Sequence, residues 1–303
     1  MVASDFGAMI RGETRRWSRG RIARFILGRI LLYAVVGGGA LLYLMPLLLM
    51  ISTSLKSADT LYVRPFRWIP ETLHWENYLK AWNSFPFSLY LRNTVIITVL
   101  NLLGAVINCS LAGYALARMR FPARNLFFGL LIATMLLPSQ VTFVPEYLIW
   151  WKLGFVNTWV PLILPGWLAV GSSRIFLFRQ FFRTLPAELE DAAKIDGASP
   201  FGCYWRIALP LSMPVIGVVA LFEFIGKWNS YVAPLIYLKD ADLYTLNVGL
   251  NMFKDAYAQE LSHMPNMHLF MAIATMIVVP VLIIFILLQR YFVEGVQLTG
   301  LKG

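Results

Sequence analysis

Residues 188–214 read ELEDAAKIDGASPFGCYWRIALPLSMP, and five of the first nine are charged. The chain around them has 303 residues, 58% hydrophobic and only 14% charged, with a mean hydropathy of +0.65. Water-soluble domains are about a quarter charged, so this polar island lies in a chain built for a membrane. Runs of about 20 apolar residues, the length a helix needs to cross the hydrocarbon, occur at 30–51, 94–116, 126–148, 158–178, 214–238 and 269–288. The expected fold is therefore all-α: a polytopic membrane protein with six transmembrane helices. Its parts are a basic segment 1–29, a six-helix domain 30–292 with a polar loop at 180–210, and a tail 293–303.

The first run is too long and starts too late for a cleaved signal peptide, and no small-residue cleavage pattern follows it. Ahead of it stand Arg11, Arg15, Arg16, Arg19, Arg21, Arg24 and Arg29, which the positive-inside rule holds in the cytoplasm. Six crossings then return the C-terminus to that side. Of the 26 Lys and Arg residues, 17 fall inside on this count: the seven above, Arg118, Arg120, Arg124, Arg174, Arg179, Arg183, Lys194, Arg206, Arg290 and Lys302. This bias accounts for the net charge of +10 without nucleic acid as a partner.

With that orientation the quoted stretch is cytoplasmic, and it reads as helix, break, helix. Thr184 or Leu185 suits the cap and Pro186 the first turn, with Glu188, Glu190 and Asp191 at the favourable N-terminal end of the dipole. Gly197 suits a left-handed C-terminal stop, Ser199 and Pro200 open a second helix, and Leu209 before Pro210 should end it. On a wheel Leu189, Ala192 and Ala193 share one face, while Glu190 and Lys194 are spaced to pair at i, i+4. A face of one leucine and two alanines lets a partner protein approach the backbone closely. A helix lying on lipid headgroups calls instead for bulky apolar groups and a basic polar face.

The stretch from Asp191 resembles the EAA motif of ABC importer permeases, with Asp191, Ala192, Ala193, Gly197, Ile207 and Pro210 on the pattern and Asp191 in place of the commoner Glu. AGYALARMRFP from Ala112, LPSQVTFVPEYLIWWKLGFVNTW from Leu137, FLFRQFFRTLPAELEDAA from Phe176 and QRYFVEGVQLTGLKG from Gln289 are similar to the carbohydrate subgroup, the maltose-type permeases. The resemblance implies a type I ABC importer permease fold, in which Glu190, Asp191, Ala192, Ala193, Asp196, Gly197, Ala198, Ile207 and Pro210 form the loop that docks on an ATPase. It implies further partners: a second homologous permease, an ATP-binding cassette ATPase dimer that binds the ATP and Mg, and an extracytoplasmic solute-binding protein delivering a carbohydrate. A permease for glycerol phosphate or another solute is the alternative. The chain itself needs no cofactor and is not expected to be an enzyme: the Gly226-Lys227 pair precedes Trp228 and lacks an upstream phosphate loop.

Polar side chains within spans face a cavity or a partner helix, which nominates Asn101, Asn108, Glu223, Trp228, Asn229 and Tyr231 for a substrate path. Interhelical hydrogen bonding and interfacial aromatic belts account for the same residue types, and Lys227 is spaced to neutralise Glu223. WNSYVAP, at 228–234, resembles the tryptophan-asparagine stretch of the family's fifth helix. His74, His263 and His268 fall in outer loops without metal-ligand spacing, and Cys109 and Cys203 lie at different levels, so neither a metal site nor a disulfide is expected. WENYLKAW, at 75–82, reads either as a surface for the binding protein or as an amphipathic helix on the outer face. A membrane-embedded enzyme would have to draw on Glu146, Glu223 and the histidines, which show no catalytic spacing or nucleophile motif. A self-contained carrier would lack the docking loop, and no inverted repeat joins the halves.

Overall fold

The computed structural model describes residues 19–61, 63, 67–258 and 266–300. Arg11, Arg15, Arg16, His263 and Lys302, used above for orientation and metal spacing, lie outside them, as do the side chains of Arg19, Arg21 and Arg24. Among the described residues the structure is helical, without strands. The chain divides into two units, Met1–Ser52 and Thr53–Gly303. The described residues of the first form one helix, α1 (Arg19–Ser54), whose last two residues belong to the second.

In the second unit the helices are α2 (Glu76–Asn83), α3 (Phe87–Arg118), α4 (Arg124–Met135), α5 (Ser139–Lys152), α6 (Val160–Trp167), α7 (Ser172–Thr184), α8 (Ala187–Ile195), α9 (Pro200–Leu211), α10 (Met213–Trp228), α11 (Val232–Tyr237), α12 (Leu246–Ala258) and α13 (Met267–Gly300). Among the described residues four helical stretches are long and apolar enough to cross a membrane: Ile26–Ser54, Phe87–Arg118, Val160–Thr184 and Met267–Tyr291. Two further pairs pass the same test together but are bent, α4 with α5 and α9 with α10; the second takes in residues 200–228 and not the expected run at 214–238.

Three of the six expected runs are interrupted. The run at 126–148 breaks at Pro138, whose backbone is extended (ψ 133) and which supplies no N–H, so α4 stops at Met135 and α5 leaves at 108°. The run at 158–178 is α6 and α7 joined through Ala169, at φ 54, and it continues to Thr184, which puts Arg174 inside the span and not in the following loop. The run at 214–238 is interrupted after Trp228, so WNSYVAP is a joint between α10 and α11. At the C-terminus α13 runs past the expected boundary at 292 to Gly300.

The central element is α3, 32 residues and about 48 Å long at 1.5 Å per residue. Its buried positions Tyr90, Asn93, Thr94, Ile97, Thr98, Asn101, Gly104, Ala105 and Cys109 recur at three and four, a stripe that faces neighbours along the whole rod. On it pack α6, α7, α10 and α12, with α13 against α10 and α2 on α13. WENYLKAW thus forms a helix that buries Asn77 and Ala81. At the Phe87 end Asn93 donates to the carbonyls of Asp242 and Tyr244 (2.8 and 2.9 Å), and Thr94 Oγ1 accepts from the Leu246 N–H at 2.9 Å. At the Arg118 end Tyr114, Phe178, Phe182 and Tyr204 form an aromatic cluster. Cys109 and Cys203 are free and buried.

The α3–α6 contact is close because glycines meet bulk from the opposite helix. A Cβ on Gly166 would lie 2.6 Å from the Asn101 carbonyl oxygen, and one on Gly104 would lie 2.7 Å from the Trp167 ring. Small residues at such crossings let backbones approach in a membrane, where no hydrophobic force drives helices together. Gly166→Ala should therefore separate the helices and cost about 1–3 kcal/mol. A melting temperature in detergent equal to that of the unsubstituted protein would refute the close fit.

Candidate functional site

The polar hairpin is α8, a turn, and α9. Lys194 and Ala193 close α8 in a Schellman arrangement: the Gly197 N–H donates to the Lys194 carbonyl (3.0 Å) and the Ala198 N–H to that of Ala193 (2.9 Å). Gly197 sits at φ 82, the left-handed stop expected of it. Ser199 caps α9, its Oγ accepting from the Gly202 N–H at 3.1 Å, with Pro200 as the first helical residue, also as expected.

Two local expectations fail. Thr184 is the last residue of α7, its hydroxyl donating to the Phe181 carbonyl, and the position before α8 is taken by Pro186, which makes no side-chain cap. Pro210 does not end α9. The helix widens into a π turn at Tyr204–Ala208 directly before it and runs to Leu211; a wider turn accommodates the missing N–H that would break an α-helix.

The charge pairing also differs. Lys194 bonds Asp191 (3.0 Å), both exposed, and not Glu190. That hydrogen bond raises the Lys194 pKa. Glu190 is turned inward, its side chain 8% exposed, and pairs with Arg118 at the end of α3 (3.3 Å). The same guanidinium donates to the carbonyls of Phe182 (2.9 Å) and Leu185. Arg118 therefore holds the end of α7, the α7–α8 connection and α8 together on α3. It had counted in the sequence only towards orientation; an arginine at the end of an apolar run says nothing of a partner 72 positions on.

Asp191, Ala192, Asp196 and Gly197 are exposed, Ala193, Ala198 and Ile207 half-buried, and Pro210 exposed. The exposed apolar surface beside them is bulkier than the small face expected: Leu189, Ile195, Phe201 and Trp205 are 43%, 87%, 63% and 59% accessible, and the last two rings stack 14° apart in plane. Clustered exposed apolar groups of this kind mark an interaction surface.

The residues nominated for a substrate path are dispersed. Asn101 is buried and its amide donates to Leu162 O (2.9 Å) and Ile163 O (3.3 Å) on α6; Asn108 donates to Gly104 O in its own helix; Trp228 Nε1 donates to Ile277 O on α13 at 3.0 Å. Glu223 is paired with Arg174 on α7, and not with Lys227. Asn229 is exposed and Tyr231 half-buried.

A cavity of ≈ 210 Å³ lies nearby between α3, α5, α6, α10 and α11, and its polar lining comes from Thr94, Glu146, Lys227, Ser230, Tyr237 and Thr245. None of the six nominated residues is among its lining. The signal for Glu146 and Lys227 was present, since an ionisable residue within an apolar run is a functional hypothesis by default. Among the described residues no group of His, Cys, Asp and Glu could hold a metal.

The chain is similar to known proteins over most of its length. The arabinooligosaccharides transport system permease protein AraQ of Halalkalibacterium halodurans is 33% identical over 273 residues, covering 87% of this chain and 93% of the relative. The sn-glycerol-3-phosphate transport system permease protein UgpE of Yersinia pestis is 33% identical over 264 residues, covering 85% and 92%. The crystal structure of a bacterial ABC transporter involved in the import of the acidic polysaccharide alginate superposes with a TM-score of 0.75 at 26% identity, over 92% of this chain and 100% of that one. The profile of the family described as "Binding-protein-dependent transport system inner membrane component" matches residues 109–297. The chain belongs to that family, the inner-membrane permease subunits of binding-protein-dependent transport systems.

Proposed function

We propose that the chain is the permease subunit of an ATP-driven importer for a carbohydrate, working beside a second, homologous permease. ATP and Mg bind in a separate ATPase dimer, the hairpin of α8 and α9 docks on that dimer, and an extracytoplasmic binding protein delivers the solute. Both termini face the cytoplasm, in keeping with the bias of Lys and Arg among the loops. The observation that carries the reading is the hairpin itself: two helices fixed at an angle by a glycine, exposing apolar rings, and anchored by Arg118 to the central helix α3.

When the ATPases close, the docked hairpin moves as a rigid body, and Arg118 transfers that motion to α3. The chain supplies path and transmission, and no chemistry. A cysteine at Ala192 tests this: in membranes holding the assembled importer, Ala192→Cys should crosslink to a nucleotide-binding chain. Recovery of crosslinks to lipid or to other permease chains alone would overturn it.

A further inference from the structure

Opposite charges line the cavity between α3, α5, α6, α10 and α11: Glu146 from α5 and Lys227 from α10. Among the described residues the other charged groups that act on Lys227, Glu223 one turn earlier and Arg174 on α7, are engaged with each other. The four charges sum to zero. Two further lining groups, the hydroxyls of Tyr237 (2% exposed) and Thr245 (5% exposed), have no hydrogen-bond partner among the described residues. Buried hydroxyls are almost always bonded, so both are available to a ligand entering the cavity. The remaining wall is stiff and apolar: Phe143, three prolines, and the Tyr237 ring, itself stacked on Tyr147 at 5.9 Å.

Resting on the permease reading above, we propose that this cavity receives one neutral, hydroxyl-rich glycosyl unit and rejects anionic sugars and phosphate esters. At ≈ 210 Å³ it is smaller than the roughly 300–1,000 Å³ of sites that enclose a whole drug-sized ligand, so a chain would pass through it unit by unit. Glu146 accepts from ring hydroxyls, Lys227 donates to them, and the hydroxyls of Tyr237 and Thr245 do either. An anion entering a site of low dielectric needs an unmatched cation. Here Arg174 is paired with Glu223, and Lys227 shares the cavity lining with Glu146, so the site carries no net positive charge to compensate a uronate or a phosphate.

Ser230, on the cavity wall, allows a direct test in the assembled importer. Ser230→Cys is labelled with thiol reagents of equal size that are neutral, cationic or anionic, the parent chain giving the background of Cys109 and Cys203. Labelling rates for the three reagents should agree within about threefold, and Glu146→Gln in the same background should speed the anionic reagent at least fivefold. Arabinotriose should protect the thiol, and an alginate trisaccharide should not. Faster labelling by the anionic reagent without Glu146→Gln, protection by the alginate trisaccharide, or no labelling by any reagent would each overturn the proposal. Failure of the permease reading would show separately, as loss of the Ala192→Cys crosslink, which does not depend on the cavity's charge.

Discussion

An Arg118→Met permease should melt well below the unsubstituted protein in detergent and import at least tenfold more slowly. The guanidinium donates to the carbonyls of Phe182 and Leu185 and forms an ion pair with the Glu190 carboxylate. Removing it strands a carboxylate whose side chain is 8% exposed, and breaking one side of a buried ion pair costs about 3–5 kcal/mol. Replacing both members is different: apolar residues of similar volume commonly match or exceed a buried pair. Arg118→Met with Glu190→Leu should therefore recover most of the melting temperature. The comparison separates the stability of the pair from its part in transmission, since the double variant regains packing but not the hydrogen bonds to the α7–α8 connection. Wild-type uptake by the single variant would show that the hairpin is held to α3 by other contacts.

Gly197→Val should leave the protein in the membrane at normal yield while abolishing uptake. A Cβ at this position meets nothing within 4 Å, so the cost is in the backbone alone. At φ 82 a β-branched residue is strained, and left-handed geometry costs ordinary residues roughly 1–2 kcal/mol. The hairpin can relieve that strain by releasing the bonds from Gly197 and Ala198 back to Lys194 and Ala193, which changes the angle between α8 and α9. Asparagine tolerates the left-handed region better than other residues, so Gly197→Asn should keep most of the uptake. Equal transport by Gly197→Val and Gly197→Asn would rule out the fixed angle as the element that transmits motion.

The features legible in the sequence were those set by one residue or by a long average. Hydropathy gave the six apolar runs, Gly197 and Ser199 gave the turn and its cap, and the EAA pattern gave the family. What the sequence did not show depends on which side chain meets which across the bundle. Glu190 had Lys194 at helical spacing, yet a carboxylate on the inward face finds the guanidinium that the end of α3 brings to it. Glu223 likewise had Lys227 four residues on, while α7 delivers Arg174. Asn101, Asn108 and Trp228 were picked out as polar groups in apolar runs, and each is bonded to a backbone carbonyl. Pro210, a stop by local rules, is absorbed by a π turn that no pattern in the sequence announced.

The unbroken course of α3 has a mechanical consequence. Every apolar run from 126 to 238 contains a joint, at Pro138, Ala169 or Asn229, whereas α3 crosses from the Arg118 anchor to the bonds of Asn93 and Thr94 without one. Over about 48 Å each degree of tilt at one tip becomes roughly 0.8 Å of travel at the other. The jointed helices around it can yield at their elbows, so on the proposed reading a stroke delivered at one face of the bilayer would reach the opposite face along this stiff beam.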